Sequence, residues 1–189
     1  MRREPLVDFI GIGVGKSATS WISACLSEHP EILMSRPKET YFFGKHFRRG
    51  FDWYESCFKH CHGENLRGEY TPGYLLDPEV IDRIHTNVPE AKLIVCLRKP
   101  IDKLTSAYYF SKARGVNKET PEEGILGQAE QVKYAKLLQP YLETFGRDRV
   151  LILFFDDIKT DSVAFVRKIF TFLGVDDSFV PPSAYKKRM

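Results

Sequence analysis

The chain alternates short continuous apolar runs with segments whose apolar residues recur at helical spacing. Continuous apolar runs at 6–12, 91–97 and 149–155 predict strands buried on both faces, because none of them alternates with polar residues. A shorter segment at 65–71 predicts a fourth strand. The helical pattern occurs between and after these strands and predicts helices at 18–28, 51–60, 78–87, 100–114, 129–145 and 162–173.

Strands that alternate with helices are typical of an α/β fold. We therefore predict a P-loop-like parallel sheet with helices on both faces, formed by a single domain that covers residues 1–189. A capping box at 120–123 and an N-cap at Asp161 mark two of the helix starts. Three polar side chains just past strand ends are predicted to share the ligand-binding edge of the sheet: Lys16, Arg98 and Asp156.

The first strand runs into a glycine-rich turn that carries a lysine and hydroxyl residues. Glycines let backbone N–H groups approach an anion closely, and the start of the next helix adds unpaired N–H groups and a positive dipole end. Lys16 adds a mobile cation. The turn therefore predicts a nucleotide-phosphate site made of Gly13, Val14, Gly15, Lys16, Ser17, Ala18, Thr19 and Ser20.

Two common phosphate-loop patterns each fail at one position of this turn. The Walker pattern requires a glycine where the chain has Ile10, and the dinucleotide fingerprint requires its third glycine where the chain has Lys16. A tight turn with a solvated lysine is the alternative that involves no ligand. The clustering of glycines, lysine and hydroxyls at one helix start favours anion binding over that alternative.

Two further segments carry chemistry. The segment 35–43 follows the first helix and contains Lys38, Glu39 and three aromatic residues.

Arg98 follows a buried strand, where its planar guanidinium can pair with two oxygens of an anion. On the helix after it, four polar residues are spaced to share one face: Lys99, Asp102, Lys103 and Ser106. An ordinary solvated face, with Leu104 and Tyr108 packed inward, would have the same spacing.

Taken together, these motifs resemble those of sulfotransferases that use 3′-phosphoadenosine 5′-phosphosulfate (PAPS). The turn at 13–22 resembles the loop that binds the 5′-phosphosulfate, and the segment 98–108 resembles the 3′-phosphate motif. The string K-E-x-x-F-F at 38–43 resembles the heparan-sulfate-type branch and its bacterial relatives. The resemblance implies that Glu39 is the general base, that Lys16 and Lys38 assist at the reacting group, and that Arg98 and Ser106 hold the 3′-phosphate.

The resemblance extends over nearly the whole chain, with departures. Residues 68–75 are similar to a cleft-lining E-x-[ST]-P-x-Y stretch, in which Glu69 is the competing candidate for the base. Tyr70 stands where many glycan-modifying relatives have lysine, and Lys103 stands where arginine is usual. The family continues into a basic, glycine-containing loop that closes over the nucleotide, so we expect residues 184–189 to be a shortened substitute or that loop to be absent.

The sequence thus predicts transfer of a sulfuryl group from PAPS to a hydroxyl or amine, with a carbohydrate or small metabolite as acceptor and no metal required. The enzymatic alternative is a P-loop nucleotide kinase or NTPase, in which Asp156 or Asp157 would hold magnesium. The alternative of another class is a non-catalytic PAPS-binding module, which would need Lys16 and Arg98 but not Glu39.

The net charge, the length of the apolar runs and the cysteines limit the possible partners and sites. A net charge of +3 is too small to indicate a nucleic-acid partner, and no apolar run reaches the length of a membrane span. We read no signal peptide, so a cytoplasmic location is the default expectation, and the oligomeric state stays open. Cys25 and Cys96 are predicted to be core thiols. Cys57, Cys61 and nearby histidines form half of a zinc site at most, and a Cys57–Cys61 disulfide has no support.

Overall fold

The computed structural model describes residues 6–60 and 65–186 of the chain. Its five strands form one parallel sheet, and they are β1 (Phe9–Gly13), β2 (Ile32–Met34), β3 (Leu66–Tyr70), β4 (Lys92–Leu97) and β5 (Val150–Phe154). The helices are α1 (Thr19–Ser27), α2 (Gly50–Ser56), α3 (Glu79–Asn87), α4 (Pro100–Ala113), α5 (Pro121–Leu126), α6 (Tyr134–Phe145), α7 (Phe155–Thr160) and α8 (Ser162–Leu173). The predicted α/β fold with a parallel sheet is confirmed.

The strands are ordered β2-β3-β1-β4-β5, so β1 lies at the centre of the sheet. Successive residues of a strand point to opposite faces, and both faces are apolar here. In β1, Phe9 packs in one core cluster and Ile10 packs in the other. Helices α1 and α8 cover the first of these faces, while α3 and α6 cover the second. This double coverage explains why the strands read as continuous apolar runs.

A close aromatic contact joins β1 to β3. Gly11 pairs with Tyr70 across the two parallel strands, and the Tyr70 ring occupies the space that a Cβ atom at Gly11 would need. The hydroxyl of Tyr70 donates a hydrogen bond of 3.2 Å to the carbonyl of Gly13. Gly11 therefore leaves room for the Tyr70 ring beside the strand that leads into the glycine-rich loop.

Most predicted elements are present, with shifts at their ends. The capping box at Thr120 and the N-cap at Asp161 are both formed. Strand β2 and helix α7 were not expected, because three residues are too few to show a period and α7 begins inside the last apolar run. The predicted helix at 129–145 begins at Tyr134, after a short 3-10 turn.

The thiols of Cys25, Cys57 and Cys96 are buried and free. The expectation of core thiols at Cys25 and Cys96 is therefore confirmed. Cys61 and His62 of the suspected half zinc site lie outside the described residues, as do residues 187–189 of the C-terminal segment.

Candidate active site

The glycine-rich loop between β1 and α1 has the backbone geometry of an anion cradle. Lys16 and Ala18 both adopt left-handed conformations, with φ of 70° and 58°. Left-handed residues within such a turn direct successive N–H groups toward one side, which makes an anion-binding concavity. Among the described residues, none accepts a hydrogen bond from the backbone N–H groups of residues 15–20. The loop therefore presents a set of free donors beside the N-terminus of α1.

Two buried side-chain donors at this loop also lack partners. Ser17 Oγ and Arg98 Nε are shielded from solvent, yet neither forms a hydrogen bond within the described part of the chain. Arg98 is fixed in place, because one of its terminal nitrogens donates to the carbonyl of Lys16 at 2.9 Å. Its guanidinium also lies 4.6 Å from the ring centroid of Phe155. Buried polar groups are rarely left unpaired, so these two donors indicate a missing acceptor such as a phosphate oxygen.

The ammonium group of Lys16 packs against α4. Its Nζ atom lies 3.8 Å from the ring centroid of Phe110, and the guanidinium of Arg114 lies 4.1 Å from the same ring. Burial lowers the pKa of Lys16, and the charges of Arg98 and Arg114 lower it further. The sequence reasoning missed Phe110 and Arg114. Phe110 follows Ser106 by four residues, and Arg114 follows Phe110 by four more, just past the end of α4. Residues at this spacing share one side of a helix, which is the signal that could have found them.

The polar residues that follow β4 differ in their exposure to solvent. Lys103 is 4% exposed, donates to Gln131 Oε1 at 2.6 Å, and has its pKa lowered by burial. Lys99 is exposed and pairs with Asp156 at 3.6 Å. Ser106 is half-buried on the same helix. The alternative of an ordinary solvated face therefore does not hold at Lys103, because its long side chain reaches a buried amide partner instead of solvent.

Lys38 and Glu39 lie together at a partly exposed position. Lys38 Nζ is 3.2 Å from Glu39 Oε1, and the hydroxyl of Tyr41 donates to Glu39 Oε2 at 2.6 Å. The carboxylate is thus held through both oxygens while 38% of its side chain remains exposed. The pKa of Tyr41 is raised to about 12, chiefly by the hydrogen bond to Glu39, with burial and the Glu39 charge adding to it. Each carboxylate oxygen has two acceptor sites, so Glu39 keeps capacity for a further proton donor.

Tyr70 connects this carboxylate segment to the glycine-rich loop. Its hydroxyl binds the carbonyl of Gly13, and its ring centroid lies 5.7 Å from Lys38 Nζ. The glycine-rich loop follows β1 and the carboxylate segment follows β2. Both strands pair in parallel with β3, which lies between them, so the two segments lie at the same edge of the sheet. The structure therefore brings the Lys16 loop, Arg98 and the Lys38–Glu39 pair to one rim.

Glu69, the competing carboxylate, has a different environment. It is fully buried and accepts hydrogen bonds from the hydroxyls of Thr40, Tyr54, Thr71 and Tyr74. Burial raises its pKa, and the hydroxyl donors oppose this shift. A carboxylate with no exposed surface does not meet an acceptor molecule directly, so Glu39 is the better placed of the two candidates.

Asp156 and Asp157, the aspartates of the kinase alternative, lie in the first turn of α7, directly after β5 ends at Phe154. Asp156 pairs with Lys99 and Lys159, and Asp157 with Lys168. Residues 6–60 and 65–186 contain no group of three or more histidine, cysteine, aspartate or glutamate side chains placed to hold a metal ion. No helix within these same residues has the length and apolar character needed to cross a membrane.

Residues 7–182 match a family model described as a sulfotransferase domain. The chain is 36% identical to the membrane-associated sulfotransferase kil1 of Dictyostelium discoideum over 109 residues, which cover 56% of this chain and 23% of that protein. It is 27% identical to human heparan sulfate glucosamine 3-O-sulfotransferase 6 over 175 residues, which cover 87% and 51% of the two chains. The chain thus spans about half the length of these curated relatives or less.

The fold is similar to that of a solved sulfotransferase from Alicyclobacillus acidocaldarius. The two structures match with a TM-score of 0.81 and 28% sequence identity, over 96% of this chain and 86% of the other. The similarity therefore includes the sheet and the helices on both of its faces.

Proposed function

Because this chain belongs to the sulfotransferase domain family, matched over residues 7–182, we propose that it transfers a sulfuryl group from PAPS to a hydroxyl or amine acceptor. One observation carries the proposal most directly. Ser17 Oγ and Arg98 Nε are buried donors without partners in the described part of the chain, at the start of a helix whose first N–H groups are also free. Such donors suit a phosphorylated ligand.

The loop residues provide hydrogen-bond donors that suit the phosphate groups of PAPS. The N–H groups of residues 15–20, together with Ser17 and Arg98, provide donors for its phosphate groups. Ser106 and Arg98 hold the 3′-phosphate in this proposal. Bound there, PAPS supplies an activated sulfuryl group attached to a phosphate leaving group.

Lys16 is the cation nearest to this cradle along the chain. Its Nζ atom lies 3.8 Å from the ring centroid of Phe110, and burial lowers its pKa. We assign it to stabilisation of the negative charge that develops on the leaving phosphate oxygen. A preorganised donor of this kind typically contributes about 10²–10³ in rate.

Glu39 accepts the proton of the acceptor hydroxyl or amine. The hydrogen bonds from Lys38 and Tyr41 fix the direction of its carboxylate, which remains partly exposed to an incoming molecule. A base must lie within hydrogen-bond reach of its proton, and a carboxylate fixed at the open rim meets this requirement better than the buried Glu69. Lys38 assists at the sulfuryl group.

The acceptor is a carbohydrate or a small metabolite in this proposal. The human relative is named as a heparan sulfate glucosamine 3-O-sulfotransferase, which favours a sugar hydroxyl as the first class to test. No nucleic-acid partner is proposed.

The test is product analysis by mass spectrometry after incubation of the chain with PAPS and a panel of glycans, phenols and alcohols. Parallel reactions contain ATP with magnesium, and a further set contains EDTA. We expect sulfated product from PAPS, no phosphorylated product from ATP, and no loss with EDTA. Tight binding of PAPS without any product would favour the non-catalytic binding module, and phosphoryl transfer from ATP would favour the kinase.

A further inference from the structure

The buried carboxylate of Glu69 organises the backbone that follows Glu39. The Glu69 side chain is wholly enclosed and is surrounded by hydroxyl groups. Tyr54 and Thr71 donate to it at 2.9 Å, Tyr74 donates at 3.1 Å, and Thr40 also donates to it. A polar cluster of this size in a core has a high cost if any member is unpaired, so its geometry is strongly determined.

Three of these hydroxyls also accept backbone N–H groups, and those N–H groups belong to three consecutive residues. The pairs are Tyr41 N with Thr71 Oγ1 at 3.4 Å, Phe42 N with Thr40 Oγ1 at 3.1 Å, and Phe43 N with Tyr74 Oη at 3.1 Å. The carboxylate therefore reaches each of the three amides through one intervening hydroxyl. We call this arrangement the hydroxyl relay.

The direction of every bond in the hydroxyl relay follows from the chemistry of its members. The carboxyl oxygens of Glu69 accept from each of the four hydroxyls, and a hydroxyl donates one hydrogen bond and accepts up to two. Each hydroxyl that gives its hydrogen to Glu69 therefore turns its lone pairs away from the carboxylate. Those lone pairs are then available to the amide of Tyr41, Phe42 or Phe43.

The segment held by the hydroxyl relay is the one that orients Glu39. Tyr41 has a left-handed backbone with φ of 51°, a conformation that non-glycine residues seldom adopt without support. Its side chain donates to Glu39 Oε2 at 2.6 Å. The position of the Tyr41 hydroxyl thus depends on a backbone that three relay bonds hold.

We propose that Glu69 is a positioning residue for sulfuryl transfer, acting through the hydroxyl relay on the backbone of residues 41–43 and, through Tyr41, on the carboxylate of Glu39. This inference rests on the proposed function, because it assigns a partner to the base named there. Glu69 contacts neither acceptor nor nucleotide in this role. Displacement of a reacting group by about 1 Å can cost about 10²-fold in rate, which is the scale expected for a failure of positioning.

The chain offers a matched control for this proposal. Tyr54 and Tyr74 are both buried tyrosines that donate to Glu69, but in the described residues only the Tyr74 hydroxyl accepts a backbone N–H. Tyr54→Phe and Tyr74→Phe therefore delete the same atom beside the same carboxylate. Thr71→Val and Thr71→Ser form a second pair, in which serine restores the hydroxyl.

The experiment compares these four variants with the parent chain by two measurements. The first is amide hydrogen exchange of residues 41–43, followed by NMR. The second is kcat and KM for PAPS with the best acceptor from the panel of glycans, phenols and alcohols. We expect Tyr74→Phe and Thr71→Val to speed exchange of the Phe43 and Tyr41 amides, respectively, and to lower kcat by about 10- to 100-fold at similar KM. Tyr54→Phe and Thr71→Ser keep near-parental values of both.

Equal loss of kcat in Tyr54→Phe and Tyr74→Phe would overturn the proposal, since it would mean that only core stability matters. Unchanged kcat in both relay variants would overturn it as well. If the parent chain transfers no sulfuryl group to any member of the panel, the proposed function fails, and the exchange measurement still decides the relay. Equal protection of the Phe43 amide in the two tyrosine variants would then refute it.

Discussion

The hydroxyl of Tyr41 donates a 2.6 Å hydrogen bond to Oε2 of Glu39, two residues before it in the chain. The two side chains reach each other because Tyr41 adopts a left-handed backbone conformation. This bond fixes one oxygen of the carboxylate, and Lys38 contacts the other. Because of this bond, the pKa of the Tyr41 phenol depends on the charge of Glu39.

The first prediction concerns that titration. The pKa of Tyr41 is raised from 10.0 to about 12, with the hydrogen bond to Glu39 as the largest cause. Because the folded-state pKa lies above the ordinary value, the stability from this bond is present below pH 10 and is lost as the pH rises toward 12. Glu39→Gln removes the charge and should move the Tyr41 pKa down toward 10.0, measured by NMR of tyrosine labelled at Cζ.

Tyr134 serves as the internal control, because its pKa is raised mainly by burial and Glu39 is not among the causes. Its titration should be the same in the parent chain and in Glu39→Gln. An unchanged Tyr41 pKa in the variant would show that the bond to Glu39 does not form in solution.

Glu39→Gln should also abolish most of the turnover. The amide keeps the shape of the side chain but does not accept the proton, and general-base catalysis is worth about 10²–10⁴ in rate. Affinity for 3′,5′-diphosphoadenosine should change little, because Glu39 is not part of the phosphate cradle. The control is Glu130→Gln, which alters an exposed glutamate paired with Lys133 and Lys136. Near-normal turnover in Glu39→Gln would remove Glu39 as the base.

Lys16→Ala should lower turnover by about 10²–10³, since it removes one preorganised cation from the cradle. Single-turnover kinetics with PAPS separates this effect from slow product release. Lys168→Ala is the matched control, because Lys168 is an exposed lysine of α8 that pairs with Asp157. A loss of less than about tenfold would be too small for the role we assign.

Arg98→Ala and Ser106→Ala should weaken nucleotide binding in a ligand-dependent way. If these side chains hold the 3′-phosphate, calorimetric titration will show a large loss for 3′,5′-diphosphoadenosine and a small one for AMP, which lacks that group. Arg167→Ala, at an exposed arginine whose Nε donates to the carbonyl of Asp177, is the control. Equal losses for the two nucleotides would argue against a 3′-phosphate contact.

Gly11→Ala should destabilise the fold, because its Cβ atom would overlap the ring of Tyr70. Overpacking of this kind typically costs about 1–3 kcal/mol in the free energy of unfolding, measurable by chemical denaturation. Gly15→Ala is the control for stability, because a Cβ at Gly15 would meet no atom within 4 Å. Equal stability of the two variants would mean that Tyr70 moves aside without cost.

The local order of elements could be read from the sequence because it depends on short-range physics. An apolar run followed by glycines, Lys16 and a helix start defines β1, the loop and α1, and periodicity defines α4 and α8. The β2 strand Ile32–Met34 was not predicted, because three residues are too few to show a period. Helix α7 was not predicted either, because it begins within the last apolar run and periodicity does not separate a strand end from a buried helix start.

The sequence by itself thus determined the α/β class and the three motifs around Lys16, Glu39 and Arg98. Tertiary structure alone decided what each polar side chain meets. The carboxylate of Glu69 reads like that of Glu39 in the sequence, yet folding buries it against Thr40, 29 residues away, and leaves Glu39 at the rim. Packing of distant segments sets burial and hydrogen-bond partners, and these contacts leave no periodic trace along the chain.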